Sequence, residues 1–259
     1  MATDRFAVLV LSCDKYADLW EPFLAQFHKY FPVGNDVIYL GSNTVACRNA
    51  GVVPVLSGPD RDWSSSLRAI LRQIPEQKLF VILEDLFLAE PVDTEALKSA
   101  KAALLGGAMH VKYWASPLPD RPTRDPLVGV YDRGAPYRAT VCGFWDRECL
   151  LSLLIDGENP WNFEILGSYR SSYMDGFLGL TRPLCGYRNM VEKGFWIAES
   201  AEWAQREGIG IQLAKRPLSQ GSNRIVSSLK MAYFDLMLKL PWRWRVAFMN
   251  KLRKALISY

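Results

Sequence analysis

The chain has 259 residues, 49% of them apolar and 22% charged, with 31 Lys+Arg against 27 Asp+Glu for a net charge of +4. This usage excludes bulk disorder, because there is enough apolar surface to offset the entropy of ordering the chain. The length suits one large α/β domain, or one domain with an appendage.

No stretch reaches the roughly 18 uninterrupted apolar residues of a membrane-spanning helix. The early apolar run, residues 6–11, is too short and too abruptly ended to serve as a secretion signal. Five cysteines (13, 47, 142, 149, 185) form an odd set without CxxC spacing, and only His28 and His110 accompany them, so zinc is disfavoured. Reduced thiols in a cytoplasmic protein are the expectation.

In chain order, FAVLVL at 6–11 reads as a buried parallel strand that stops at Ser12-Cys13-Asp14-Lys15-Tyr16. Residues 17–30 place Leu19, Phe23, Phe27 and Tyr30 at helical spacing, and Pro32 and Gly34 end that helix. Strands are expected at 36–40 and 52–56. Asp62 then caps a helix whose buried stripe is Leu67, Ile70, Leu71 and Ile74. LFVIL at 79–83 is the clearest central strand and runs directly into Glu84-Asp85. A helix over 93–105, capped by Asp93 or Thr94, and a strand over 109–114 follow.

Residues 116–137 carry Pro117, Pro119, Pro122, Pro126 and Pro136, and read as a long loop of the functional kind. Strand character returns at 139–145, then a helix at 146–156. Asn159-Pro160 opens another helix, and a strand pair over 185–198 turns at Lys193-Gly194. Alternating strands and helices predict a Rossmann-type, mainly parallel sheet with helices on both faces.

Such sheets bind ligands beyond the carboxyl ends of their strands. Two of those ends carry acids here, Asp14 and the pair Glu84-Asp85. Acids at that edge repel a phosphorylated ligand unless a divalent cation bridges them to a diphosphate, or unless they bind ribose hydroxyls and a base. Neither GxGxxG nor GxxxxGK[ST] occurs, which disfavours Rossmann dehydrogenases and P-loop NTPases.

Five segments carry a resemblance: Ser12-Cys13-Asp14-Lys15-Tyr16, Asp62-Trp63-Ser64, Leu83-Glu84-Asp85-Leu86-Phe87, Asn159-Pro160-Trp161-Asn162-Phe163-Glu164 and Glu192-Lys193-Gly194. Through them the chain resembles GT-A-type glycosyltransferases of bacterial polysaccharide and lipopolysaccharide assembly, over roughly residues 5–200. The resemblance implies a GT-A-like fold and transfer of a sugar from a nucleotide-sugar donor to a hydroxyl of a glycan or lipid-linked acceptor. It also implies a divalent cation, Mn²⁺ or Mg²⁺. The family's usual Asp-x-Asp is replaced by Glu84-Asp85 followed by Leu86 and Phe87, which leaves metal dependence open.

Glycosyl transfer passes through an oxocarbenium-like state while negative charge grows on the departing diphosphate. Inverting transfer also needs a carboxylate to take the acceptor's proton. On the resemblance, Glu164 is the candidate base, Asp85 the metal or diphosphate residue, and Glu84 its ribose or metal neighbour. Ser12, Asp14, Tyr16 and Asp62 are candidate nucleotide contacts, and Lys193 or Arg188 would offset diphosphate charge.

Each assignment has a plainer counterpart. Glu164 suits a helix dipole, Asp62 a pure N-cap, and Glu84-Asp85 a solvated strand end. Trp63, Trp161 and Phe163 read as packing residues, Asp146 and Glu148 as an exposed helix face, and His28 and His110 as structural. A nucleotidyltransferase and a non-catalytic nucleotide- or glycan-binding scaffold are the competing functional classes, although Ser12–Tyr16 poorly matches the Gly-rich basic loop of the former.

Charge is uneven. Residues 228–259 hold seven Lys/Arg against Asp235 alone, which is +6 and leaves −2 for the rest. This argues against a nucleic-acid groove in the body of the chain. The expected division is a catalytic domain at 1–227 and a helical basic tail at 228–259. At 100° per residue, Trp242, Phe248, Met249, Leu252, Leu256 and Tyr259 share one arc, with Arg243, Asn250, Lys251, Arg253 and Lys254 opposite. Arg245 falls on the apolar side, where it is expected to snorkel. The composition is that of an interfacial helix on an anionic membrane, so peripheral attachment to the inner face of the cell membrane is expected. A hairpin packed on the domain, or a dimer contact, is the alternative.

Overall fold

The computed structural model describes residues 6–219, 236, 239–241, 243–248 and 251. The proposed boundary at 227/228 and most of the basic tail lie outside the described residues.

A nine-stranded sheet organises the fold. Its strands are β1 (Phe6–Leu11), β2 (Val37–Ser42), β3 (Val52–Leu56), β4 (Lys78–Leu83), β6 (His110–Lys112), β7 (Arg121–Pro122), β8 (Val128–Val130), β9 (Gly143–Asp146) and β10 (Phe177–Leu180), in the spatial order β3-β2-β1-β4-β9-β6-β10-β8-β7. Seven strands point the same way, while β8 and β9 run against them. Successive residues of a strand face opposite sides. All six of β1 are buried, as are Leu79 through Ile82 of β4, so both faces of the sheet are covered. This is the α/β architecture that the alternating pattern predicts.

Among the described residues the longer helices are α1 (Ala17–Tyr30), α2 (Trp63–Leu71), α3 (Thr94–Leu105), α4 (Arg147–Leu153) and a last one at Ala198–Arg206. Their caps are side-chain ones at α2, α3 and α4: Asp62 accepts from Ser65 N at 2.9 Å, Asp93 from Glu95 N and Ala96 N, and Asp146 from Cys149 N at 3.0 Å. Asp146 is therefore not part of an exposed face. It caps α4 and pairs with Lys78 at 3.0 Å, directly opposite it across the β4–β9 ladder. Glu148 is exposed and pairs with Arg147 at 2.9 Å.

Strand β9 supplies the cross-links between layers. Phe144 stacks on its ladder partner Phe80 (centroids 4.7 Å apart), and Phe80 continues through Phe31 (5.3 Å) and Phe27 (4.6 Å) into α1. The next residue, Trp145, faces the other side, where it stacks on His110 (3.9 Å) and approaches Phe163 (6.3 Å). The ladder begins at Gly143, whose φ of +150° and whose Cβ-free contact with the His110 ring both require glycine.

Three segments differ from expectation. Residues 116–137 are not wholly loop: β7 and β8 form a short antiparallel pair at the sheet's edge, where Pro122 costs no interior ladder bond. The run at 139–145 enters the sheet only at Gly143 and runs antiparallel. Strand β10 has no counterpart in the pattern reading.

His110 is fully buried, with ring nitrogens at 3.0 Å from the Phe144 carbonyl and 3.2 Å from Thr140 Oγ1. Burial pushes its pKa down to about 3. The ring stays neutral in the fold, so below pH 6.5 the unfolded chain binds a proton that the folded chain refuses. Its contribution is intact above pH 6.5 and is lost as pH falls toward 3. Urea unfolding at pH 5 and pH 7 should show this loss at about 1.4 kcal/mol per pH unit in the wild type, relative to His110→Gln.

Candidate active site

The parallel register of β1 and β4 aligns Leu11 with Leu83, so Ser12–Tyr16 and Glu84-Asp85 leave the sheet side by side. Ser12 accepts from the Trp20 indole at 2.7 Å. Glu84 is buried, and Asp85 is half-buried with its Oδ1 out of contact with solvent. Desolvation, then the Asp85 charge, raises the Glu84 pKa well above the usual carboxylate range, and desolvation lifts Asp85 to about 7. An acid pair held this way is not a solvated strand end.

After Asp85 the chain forms β5 (Leu86–Leu88), which pairs with β11 (Tyr187–Asn189), and Met190 N donates to the Asp85 carbonyl at 2.8 Å. These bonds bring in the hairpin of β12 (Val191–Glu192) and β13 (Phe195–Trp196). Its two-residue turn, Lys193-Gly194, has φ of 51° and 84°, as a mirror-image hairpin turn requires. Lys193 holds this left-handed conformation without being glycine.

Glu164 arrives from a third direction, on a helical segment over 160–170. Asn159 caps it by accepting from Asn162 N at 2.8 Å, with Pro160 at the first position. Its middle, Phe163–Gly167, is π-helical, a wider turn common at functional sites. Phe163 is fully buried against Trp63 (5.5 Å) and Trp145, which fixes one side of the segment. Arg170 holds both Glu158 oxygens at 2.7 Å and ties its two ends together. Ser168 bonds Ala139 N at 3.0 Å, and Glu164 Oε1 accepts from Val141 N at 3.2 Å, which docks the segment on the approach to β9.

The result is a cleft of about 370 Å³ lined by Ser12, Tyr16, Glu84, Asp85, Glu164 and Lys193. Six of the nine site residues expected from sequence thus share one cavity. Trp161, read from sequence as packing, is 60% exposed and lines the same cleft, as does half-buried Trp63.

Three expected residues stand off its wall. Asp14 is partly desolvated, but bonds from Thr44, Val45 and Asn43 hold its pKa low and knit β1 to the loop after β2. The Asp62 carboxylate is taken by Ser65 N, Ser64 Oγ and Gly157 N, which hold it well below the usual range. Arg188 is exposed on β11, over the Trp203 ring at 5.9 Å. The two carboxylates are engaged in holding the chain.

Arg216 was not foreseen. It pairs with both Asp18 oxygens and lies over the rings of Tyr16 (4.8 Å) and Trp196 (5.3 Å), which steadies the cleft's Tyr16 wall. The only signal for it is its place 198 residues from its partner, which no local pattern reports.

Asp85 Oδ1 is buried without a hydrogen-bond partner among the described residues. Mg²⁺ or Mn²⁺ is commonly held by one or two carboxylates plus substrate oxygens, and Glu84-Asp85 beside an open cleft fit that donor set. No group of three or more His, Cys, Asp and Glu that could hold a metal by protein alone occurs among the described residues.

No protein-family model matches the sequence, and no curated protein matches it. The chain is similar, at low identity, to several solved structures. Staphylococcus aureus TarS shares 11% identity with a TM-score of 0.48, over 71% of this chain and 36% of its own. The chain thus spans about a third of that protein. A mannosyltransferase from Pyrobaculum calidifontis, in complex with GDP-Man and Mn²⁺, shares 16% identity with a TM-score of 0.48, over 98% of this chain and 76% of its own. Glucosyl-3-phosphoglycerate synthase from Mycobacterium tuberculosis, in complex with Mn²⁺, UDP and glucosyl-3-phosphoglycerate, shares 15% identity with a TM-score of 0.48, over 85% of this chain and 82% of its own.

Proposed function

We propose that the protein is a glycosyltransferase that moves a sugar from a nucleotide-sugar donor to an acceptor hydroxyl with inversion. One observation carries this reading: carboxylates about eighty residues apart in sequence, Glu84-Asp85 and Glu164, line a single cleft. Glu164 takes the acceptor proton as the acceptor oxygen bonds to the anomeric carbon. The bond from that carbon to the diphosphate breaks, and the diphosphate leaves with the electron pair. Glu84 and Asp85 would hold Mn²⁺ or Mg²⁺, which when bound neutralises charge on the diphosphate. Lys193 adds a positive charge on the same wall. Exposed Trp161, next to Pro160 in the cleft, offers a flat apolar face to a sugar ring.

Thermal-shift measurements with Mn²⁺ test the class. Stabilisation by UDP or GDP supports transfer. A response confined to nucleoside triphosphates would point to nucleotidyl chemistry, and none to a scaffold.

No helix among the described residues is long and apolar enough to cross a membrane. For the tail we propose attachment to an anionic membrane carrying a lipid-linked acceptor. The snorkelling expected of Arg245 does not occur: it is buried and pairs with Asp120 at 2.7 Å, so this part of the tail packs on the domain. Trp244 and Phe248, one helical turn apart, remain exposed. Replacing both by Ala should reduce flotation with anionic liposomes several-fold and leave transfer to a soluble acceptor intact; undiminished flotation would defeat the attachment.

A further inference from the structure

A second cavity lies at the opposite edge of the sheet. Strand β10 is parallel to β6, and β8 is antiparallel to it, so Asp175-Gly176 before β10 and Tyr131–Arg133 after β8 meet at the end remote from Glu84-Asp85. The space there is about 440 Å³ and is lined by Arg121, Arg133 and Arg138 with Asp132, Asp175 and Tyr131.

Arg138 is 1% exposed. Its guanidinium lies 4.4 Å over the Phe177 ring and donates through Nη2 to the Met174 carbonyl at 3.0 Å. Its Nε and Nη1 have no hydrogen-bond partner among the described residues. A buried guanidinium with two unmet donors is costly unless an anion completes it. The neighbouring acids are already engaged. Asp132 pairs with Arg121 at 2.7 Å, both Asp175 oxygens pair with Arg133 at 3.0 Å, and Asp120 pairs with Arg245. Of these pairs, Arg133–Asp175 is the replaceable one, because the Asp175 side chain is 84% exposed and its bond is screened by water.

We propose that this cavity binds a phosphate group, with Arg138 at its base and Arg121 and Arg133 at its rim. Forked guanidinium donors suit phosphate oxygens, and three cations facing two carboxylates leave a net positive charge to receive an anion. The phosphate has two chemical sources, a soluble phosphorylated metabolite or a lipid headgroup. The second is in reach because the tail docks at Asp120, whose other oxygen accepts from Asp132 N at 2.9 Å on the cavity wall. The site is independent of the transfer reaction proposed above.

The test is titration of the full-length protein with inorganic phosphate against chloride at equal ionic strength, followed by backbone amide shifts. Saturable shifts at Tyr131, Asp132 and Gly176 are expected, with affinity reduced at least tenfold in Arg121→Gln/Arg133→Gln. Those rim residues are exposed enough to replace if Arg138→Gln fails to fold. Non-saturating shifts, shifts confined to the Glu84-Asp85 cleft, or affinity unchanged in the double variant would overturn the site. Two further arms identify the source. Competition by phosphate against phosphatidylglycerol vesicles, with phosphatidylcholine as control, marks a lipid headgroup. Binding of glycerol phosphate without such competition marks a soluble metabolite.

Discussion

In Glu164→Gln, turnover falls by about 10²–10⁴ while the donor still binds, the range expected when a positioned proton acceptor is removed. The substitution is a clean one for this site. Glu164 Oε1 accepts from Val141 N, and the glutamine oxygen keeps that bond, so the docking of the 160–170 segment on the approach to β9 survives. Phe163, which anchors the segment between Trp63 and Trp145, is untouched. The measurements are kcat for sugar transfer and, separately, the thermal shift caused by nucleoside diphosphate. An unchanged kcat removes Glu164 from the chemistry, whereas loss of the thermal shift as well would signal that the cleft itself has been disturbed.

Asp85→Asn tests the other end of the cleft. Transfer should fall by about 10²–10³, the scale on which loss of a fixed group that stabilises developing charge is felt. The stabilisation by nucleoside diphosphate with Mn²⁺ should disappear with it. EDTA should have the same effect on the wild type and added Mn²⁺ should reverse it, while activity unchanged in chelator would mean that the two acids act by hydrogen bonding alone. Stability of the ligand-free protein moves differently. Asp85 is half-buried, and its buried Oδ1 lacks any hydrogen-bond partner among the described residues. An amide is cheaper to bury than a carboxylate, so the melting temperature of the variant should equal or exceed that of the wild type. A variant that is inactive and markedly less stable would indicate a structural acid.

Both predictions depend on residues that are readable in the sequence for different reasons. Glu84-Asp85 stands out because a buried strand ends in two acids, a local conflict that burial energetics cannot favour without a use for the charge. Glu164 has no such signature, because an acid early in a helix is ordinary; it was picked out through the family resemblance. Asp14 and Asp62 show the converse. Both are acids at expected positions, yet backbone N–H groups occupy them, Asp14 across the loop after β2 and Asp62 at a helix start and at Gly157. Trp161 illustrates a limit of composition: an aromatic in an amphipathic segment reads as core, and only the packing of its neighbour Phe163 leaves it facing the cleft.

What the amino-acid order determined by itself is local: the apolar runs of β1 and β4, the caps at Asp62, Asp93 and Asn159, the hairpin turn at Lys193-Gly194, and the acids that end the central strand. These follow from backbone propensities and side-chain bonds within a few residues of each other. Tertiary structure alone decided the reversal of β9, the π-turn under Glu164, the clamp of Arg170 on Glu158, and Arg216 against Tyr16. Each of these is chosen by how distant side chains fill a shared space, and the pairing of Trp145 with His110 and Phe163 has no representation in any short window of the chain. The meeting of Glu164 with Asp85 belongs to the same class, since close packing over the whole sheet sets which segments come together.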